Sequence, residues 1–406
     1  MNKRPAIHWP SMAQFTLSLL GILGLGGLSL TLLTIAIFAN SIGFLLLNVA
    51  QIDALILLSS GLFFGGILLI PSAVHAFGHL QGKEPLWHLP WKHLKWLIFI
   101  YPLAIALGFF AASHGALGQY LLPIVHILAN GSAVFWLIYQ GWRNLPHGSP
   151  QRFWGVFNSG LFLASTLSFV TEISIFLLLC LGWWKYIIQY PHLHNQALSL
   201  IEQFPQLIAS PAIVDRVIRE YIFKPGIVWT AFIFIGLLIP LTEELIKSTG
   251  VWLLARRKLT PTEGFALGIL SGAGYALSEN LLLASDAETW AWILLPRLGT
   301  MVMHMLASGL TGWGLASAWR DGKYLRLGGA YLASVLLHAT WNNLALLISF
   351  AQFSGAAEAF GEFGLRIALA APVGLLILAL GAFLGILRAN SYFRASSPKS
   401  GTSLTI

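Results

Sequence analysis

The feature that most limits the fold of this chain is a run of about twenty or more apolar residues, which recurs ten times along it. A helix rises about 1.5 Å per residue, so each run is about 30 Å long and matches the hydrocarbon core of a bilayer. Only 9% of the 406 residues are charged, whereas soluble proteins carry about 25%. We therefore predict an all-α, polytopic helical membrane bundle. Its spans are predicted at 14–38, 53–75, 95–113, 119–141, 153–184, 227–255, 263–285, 290–319, 326–350 and 365–388.

Lysine and arginine are unequally distributed between alternate loops. Sixteen of them lie in one set of loops and near the termini, and four lie in the other set, all in the long loop after the fifth span. Because cytoplasmic loops are enriched in Lys and Arg, both termini are predicted in the cytoplasm. The same rule accounts for the net charge of +8. The partner that the sequence predicts is therefore the lipid bilayer and not a nucleic acid.

The long loop after the fifth span divides the chain into two sets of five helices. We predict an amino-terminal membrane extension at 1–188, an outer loop at 189–226, a second five-helix domain at 227–388 and a flexible cytoplasmic tail at 389–406. In the outer loop, apolar residues recur at helical spacing from Ile213 to Ile222 with charged residues between them. This pattern is typical of an amphipathic helix on the membrane surface.

Ionisable side chains inside the apolar runs are concentrated in the second half of the chain. The first five spans contain Glu172 and His126, whereas seven such residues lie in the last five. An ionisable group at that depth costs several kcal/mol unless it is paired, and it usually marks function. The seven residues are Glu243, Glu244, Lys247, Glu279, Arg297, His304 and His338.

The sixth span contains two adjacent carboxylates and an ammonium. Glu243 and Glu244 precede Lys247 by four and three residues, so either can reach it on one helix face. Adjacent residues differ by about 100° around a helix, so the two glutamates point in different directions. One glutamate and Lys247 neutralise each other, and the second glutamate needs another partner.

The seventh span combines small residues with an acid. Gly268 and Gly272 form a small-xxx-small pair, which lets a neighbouring helix approach closely. Tyr275 and Glu279 are four residues apart on one face, and Asn280 follows.

The eighth and ninth spans each contain a histidine. His304 follows Arg297 by seven residues, which is two turns along one face. His338 and Asn342 are four residues apart, with Trp341 beside them. Two histidines and several glutamates in successive spans favour catalysis or metal binding over a structural role.

These motifs, in this order, resemble the PrsW family of intramembrane proteases, which is related to the CAAX-processing and bacteriocin-processing membrane proteases. The resemblance rests on Glu-Glu-x-x-Lys at 243–247, Tyr-x-x-x-Glu-Asn at 275–280, Arg297 with His304, and His-x-x-Trp-Asn at 338–342. It covers about residues 227–350, so the first five spans lie outside it. It implies peptide-bond hydrolysis in or near the plasma membrane of a prokaryote. It also implies a membrane-protein substrate such as an anti-sigma factor.

Two mechanisms fit these residues. In the first, His304, His338 and Glu279 hold a zinc ion with one position open for water, and another Glu is the base. In the second, no metal takes part. Glu243 or Glu244 activates water directly, and His304, His338 and Asn342 orient it and bind the oxyanion. The predicted catalytic residues are Glu243, Glu244, Glu279, His304, His338 and Asn342. The predicted supporting residues are Lys247, Tyr275, Asn280, Arg297 and Trp341.

A proton-coupled transporter and a catalytically silent scaffold are the alternative functions. Buried ionisable residues also form proton relays. A transporter built from repeats, however, would have matching residues in both halves, and here they lie in one half. A silent scaffold would have lost members of the set, and all of them are present.

Overall fold

The computed structural model describes residues 8–42, 47–83, 89–114, 116–143, 145, 148–203, 217, 220–283, 285, 287–353 and 355–396. All regular elements within these ranges are helices, which confirms the predicted all-α architecture. The longer helices are α1 Trp9–Ile42, α2 Val49–Leu80, α3 Ile100–Ala112, α4 Ala116–Trp142, α5 Pro150–Asn158, α6 Ser165–Ile187, α7 Pro191–Glu202, α8 Pro225–Ile233, α9 Ile239–Ile246, α10 Pro261–Leu281, α11 Ala287–Asp321, α12 Tyr324–Ala351 and α13 Ala356–Ser396.

Nine helical stretches in the described ranges are long and apolar enough to cross a membrane. The seventh predicted span is also a helix, α10, but it does not belong to these nine. Its residues are mostly buried, and many of them are small, such as Gly264, Gly268 and Gly272. A helix that neighbouring helices shield from lipid does not need large apolar side chains, so its composition is less hydrophobic than that of a lipid-facing span.

Two predicted spans contain a π-helical turn. Ser159–Ala164 joins α5 to α6, and Phe234–Leu238 joins α8 to α9. A π-helical turn adds a residue to the helix and rotates the residues that follow it, and such turns often lie at functional sites. The second of them precedes Glu243 by five residues.

The chain contains two compact units, and neither is continuous in sequence. The first unit consists of Met1–Ser165, Glu244–Ser334 and Ala379–Ile406, and the second of Thr166–Glu243 and Val335–Leu378. In the first unit, α4, α5, α10 and α11 supply most of the apolar core, which includes Trp142, Phe157, Leu270 and Met305. The second unit contains a group of phenylalanines, in which the Phe232 and Phe350 rings stack 6.0 Å apart.

Only parts of the predicted tail and of the predicted outer loop lie within the described residues. Helix α13 continues to Ser396, so the first residues of the predicted tail are helical. The rest of that tail lies outside the described residues. The same is true of most of the predicted amphipathic helix, whereas α7 lies in the earlier part of the outer loop.

Candidate active site

A buried ion pair lies at the end of α9, in the first unit. The Lys247 ammonium lies 2.8 Å from Glu244 Oε1, and both side chains are 0% exposed. The two residues are three apart, which brings their side chains to one face of the chain. The Ser271 hydroxyl of α10 donates to the Lys247 carbonyl at 2.6 Å and attaches this segment to the next helix. Of the two neighbouring glutamates, Glu244 is therefore the partner of Lys247.

Lys247 also contacts α10 and α11. Its Nζ lies 2.7 Å from His304 Nδ1 and 4.8 Å from the centre of the Tyr275 ring. An ammonium has only donors, so His304 Nδ1 accepts this hydrogen bond and the proton of the neutral ring is on Nε2. The Tyr275 ring meets the His304 ring edge-on at 5.6 Å between centres. One hydrogen bond from Lys247 and one aromatic contact with Tyr275 thus hold the His304 ring on this side.

Glu279 contacts both His304 and Arg297. The contacts from Glu244 through Lys247, His304 and Glu279 to Arg297 thus form one row. Glu279 Oε2 accepts from His304 Nε2 at 2.8 Å, and Glu279 Oε1 lies 3.0 Å from Arg297 Nη1. Arg297 Nε also donates to Asn280 Oδ1 at 2.8 Å. The Glu279 side chain is 36% exposed, whereas Glu244 and Lys247 at the other end of the row are fully buried. The row is therefore buried at Glu244 and partly exposed at Glu279.

The glycines of α10 allow α11 to approach closely enough for these contacts. A Cβ atom added to Gly272 would lie 2.7 Å from the His304 carbonyl oxygen and 2.7 Å from Ser308 Oγ. A Cβ atom on Gly268 would likewise meet the Ser308 carbonyl. The predicted small-xxx-small pair is thus confirmed as the contact between these two helices. Its second glycine, Gly272, lies directly against the backbone carbonyl of His304.

We expect Gly272→Ala to impair both stability and activity. The added methyl group must push against backbone of α11, and such overpacking costs about 1–3 kcal/mol. It would also displace His304 from Lys247 and Glu279. Thermal unfolding in detergent should show a lower Tm, and the activity that the sequence motifs predict should fall about tenfold. Gly328→Ala on α12 is the matched control, because a Cβ there meets nothing within 4 Å; equal effects of the two variants would contradict this account.

The second unit contains the other acid–histidine pair. Glu243 Oε2 lies 3.9 Å from His338 Nε2, and both side chains are buried. Glu243 follows α8 and its π-helical turn, and His338 belongs to α12. The two neighbouring glutamates of the sixth span therefore have different partners, as their directions on the helix require.

Two asparagines of α12 hold the π-helical turn that precedes Glu243. Asn342 Nδ2 donates to the Ile235 carbonyl at 2.9 Å, and Asn343 Nδ2 donates to the Gly236 carbonyl at 3.1 Å. A π-helical turn leaves backbone carbonyls without their usual α-helical partners, and these amides satisfy two of them. The sequence did not single out Asn343. Its only sequence signal is its position next to Asn342, beyond the recognised motif.

The predicted site residues thus fall into two groups. The first unit joins Glu244, Lys247, Tyr275, Glu279, Asn280, Arg297 and His304 into one row of contacts. The second unit contains Glu243, His338, Trp341 and Asn342. The peptide bond between Glu243 and Glu244 joins the two groups. Of the two deep residues in the first five spans, Glu172 belongs to α6 and His126 to α4.

Comparison with known proteins gives one result. Residues 204–377 match the PrsW family of intramembrane metalloproteases. No curated protein and no solved structure resembles the chain closely enough to count as a match. The matched region includes all four motifs, from Glu243 to Asn342, and excludes helices α1 to α7.

Proposed function

We propose that this chain, whose residues 204–377 match the PrsW family of intramembrane metalloproteases, hydrolyses a peptide bond of a membrane-embedded or membrane-tethered protein. The observation that carries the proposal is the row of contacts from Glu244 to Arg297, together with the Glu243–His338 pair. Ionisable groups among apolar helices cost several kcal/mol unless they are paired. Hydrolysis requires such groups, whereas a structural bundle does not.

Glu243 is the carboxylate that we propose acts on water. It accepts a proton from the water molecule whose oxygen attacks the scissile carbonyl carbon. It then gives that proton to the amide nitrogen as the C–N bond breaks. Glu244 is less suited to this role, because a proton on its carboxylate would leave the Lys247 ammonium buried without its counter-charge. His338, beside Glu243, supplies an N–H group toward the developing oxyanion.

The row of contacts in the first unit positions His304, another of the predicted catalytic residues. Glu279 and Lys247 fix the tautomer and orientation of His304, and Arg297 neutralises Glu279. Asn342, which was predicted to bind the oxyanion, instead holds the turn that leads to Glu243. We assign it a positioning role.

The family name implies a metal ion, and the donor types present fit one. Glu243 and His338 of the second unit are the proposed ligands, a carboxylate and an imidazole of the kind found in catalytic zinc sites. With an ion bound, they would hold it instead of acting as base and oxyanion donor. His304, which was also predicted as a ligand, has its ring nitrogens on Lys247 and Glu279. Glu279, which was predicted as the third ligand, has both oxygens on Arg297 and His304, so we propose that it orients His304 instead. A bound ion would lower the pKa of water toward about 7 and so supply part of the activation that a base otherwise provides.

The metal content of the purified protein tests this ligand set. We expect about one zinc ion per chain in the wild type, and loss of it in Glu243→Ala and in His338→Ala. His192→Ala is the control, because that histidine is exposed on α7. Zinc that survives in both ligand variants would exclude the proposed set. A wild-type protein without metal would leave Glu243 as the sole activating group.

The substrate is proposed to be a membrane protein, and the family resemblance suggests an anti-sigma factor. The test compares the membrane proteins of cells that make the wild-type chain with those of cells that make Glu243→Gln. A protease predicts full-length membrane proteins that accumulate only with the variant. A transporter or a silent scaffold predicts no such accumulation and no new protein fragments with the wild type.

A further inference from the structure

We infer that His126, in the amino-terminal extension, is a positioning residue for the proposed active site. It belongs to α4, is 0% exposed, and lies outside the region that matches the family. It contacts both sides of the connection between α10 and α11, the two helices that carry Glu279 and Arg297. The inference rests on the proposed function, because it concerns the geometry of that site.

The His126 ring makes hydrogen bonds to two other helices. The Trp290 indole N–H of α11 donates to His126 Nδ1 at 3.1 Å. The ring also donates a hydrogen bond to the backbone of Leu281, the last residue of α10. A neutral imidazole has one donor and one acceptor, so this ring joins the end of α10 to the beginning of α11. Asn130, one turn further along α4, donates to the His126 carbonyl at 3.0 Å.

Other residues of the extension pack against the same connection. A Cβ atom on Gly108 of α3 would collide with the Trp290 ring, and one on Gly61 of α2 would collide with the Leu281 carbonyl. The Tyr101 hydroxyl of α3 donates to the Leu294 carbonyl of α11 at 3.4 Å. Three helices of the extension, α2, α3 and α4, therefore contact the end of α10 or the beginning of α11, and His126 makes polar contacts there.

This connection is close to the site along both helices. Leu281 follows Glu279 by two residues. Trp290 precedes Arg297 by seven residues, which is two turns on the same face of α11. Glu279 and Arg297 meet at 3.0 Å across the two helices. The separation of α10 and α11 at this end therefore sets the Glu279–Arg297 contact, although His126 touches neither residue in the contacts described above.

Two variants of the full-length protein separate this role from a general contribution to folding. His126→Phe keeps a ring but leaves the Trp290 N–H and the Leu281 carbonyl without partners. His126→Gln keeps one donor and one acceptor. Ser132→Ala is the control, because that buried hydroxyl on α4 donates to the Ala129 carbonyl of its own helix and bonds no other helix among the described residues. The readouts are backbone hydrogen exchange over residues 279–297 in detergent, and cleavage of the membrane protein that accumulates with Glu243→Gln.

For His126→Phe we expect hydrogen exchange about tenfold faster within 279–297 and not elsewhere, since each buried group left unpaired weakens the local structure. The kcat should fall about tenfold with KM unchanged. His126→Gln should restore both within about threefold. Unchanged exchange at 279–297, or an increase spread over the whole chain, would overturn the inference.

If His126→Phe does not fold, Trp290→Phe provides the same test, because it removes the indole donor and keeps an aromatic ring. The exchange readout does not depend on proteolysis. If the wild-type protein cleaves nothing but His126→Phe still exchanges faster within 279–297, the proposed function is contradicted and the positioning role is not.

Discussion

Glu243→Gln is expected to lower the rate of proteolysis by about 10²–10⁴-fold, the usual contribution of a general base. Glutamine has nearly the shape of glutamate but cannot accept the proton from water. The variant should therefore keep its helical content and its insertion into the membrane. The assay is the initial rate of cleavage of an accumulated membrane protein in proteoliposomes. Glu362→Gln is the matched control, because that carboxylate is 81% exposed in an ion pair with Arg366.

The metal content of Glu243→Gln distinguishes two roles of this carboxylate. Retained metal with lost activity identifies Glu243 as the base. Lost metal identifies it as a ligand, because a neutral amide binds a divalent cation more weakly than a carboxylate does. Activity within threefold of the wild type would exclude both roles.

Lys247→Met is expected to destabilise the protein by about 3–5 kcal/mol, the cost of leaving a buried charge without its partner. Glu244 would keep its negative charge in a fully buried position, and His304 Nδ1 would lose its donor. Chemical unfolding in detergent measures the change. Proteolysis should also be lost, because His304 is no longer held.

A second substitution tests the cause of this destabilisation. The double variant Lys247→Met with Glu244→Leu carries no unpaired buried charge and should recover most of the lost stability. Arg366→Met breaks the exposed ion pair with Glu362 and should change stability by less than about 1 kcal/mol. If Lys247→Met had as small an effect as Arg366→Met, the buried Glu244–Lys247 pair would stabilise the protein no more than the exposed pair does.

Much of the architecture could be predicted from the sequence, because the bilayer requires long apolar helices. The apolar runs predict all nine helical stretches of the described residues that are long and apolar enough to cross a membrane, and they also predict α10 as a helix. The spacing within one helix also predicts that a glutamate pairs with Lys247. It leaves open which one, since both Glu243 and Glu244 are within reach on the sequence.

Contacts between helices could not be predicted from local spacing. Arg297 pairs with Glu279 and Asn280 because of the rotation of α11 against α10, and the sequence of one helix does not contain that angle. The π-helical turn at Phe234–Leu238 and the amide of Asn343 that bonds to it were missed for the same reason. His126 was noticed as a deep ionisable residue, but its partners Trp290 and Leu281 are more than 150 residues away in the sequence.

The division into domains also depends on contacts between helices that the sequence order does not contain. The long loop suggests two sets of five helices in sequence order. In the structure, residues Met1–Ser165 of the extension share a compact unit with Glu244–Ser334, whereas the rest of the extension belongs to the other unit. Small residues of α2 and α3 that contact α10 and α11 explain this association.

Incorporation of heavy oxygen tests the central claim most directly. The purified wild-type protein and Glu243→Gln would each be incubated in H₂¹⁸O with the accumulated membrane protein in proteoliposomes. Mass spectrometry of the peptides would then identify new carboxyl termini. Hydrolysis at this site predicts a new carboxyl terminus that carries one ¹⁸O atom with the wild type and is absent with Glu243→Gln. No new terminus with the wild type, or an equal amount with both proteins, would contradict the assignment of this site as a peptidase.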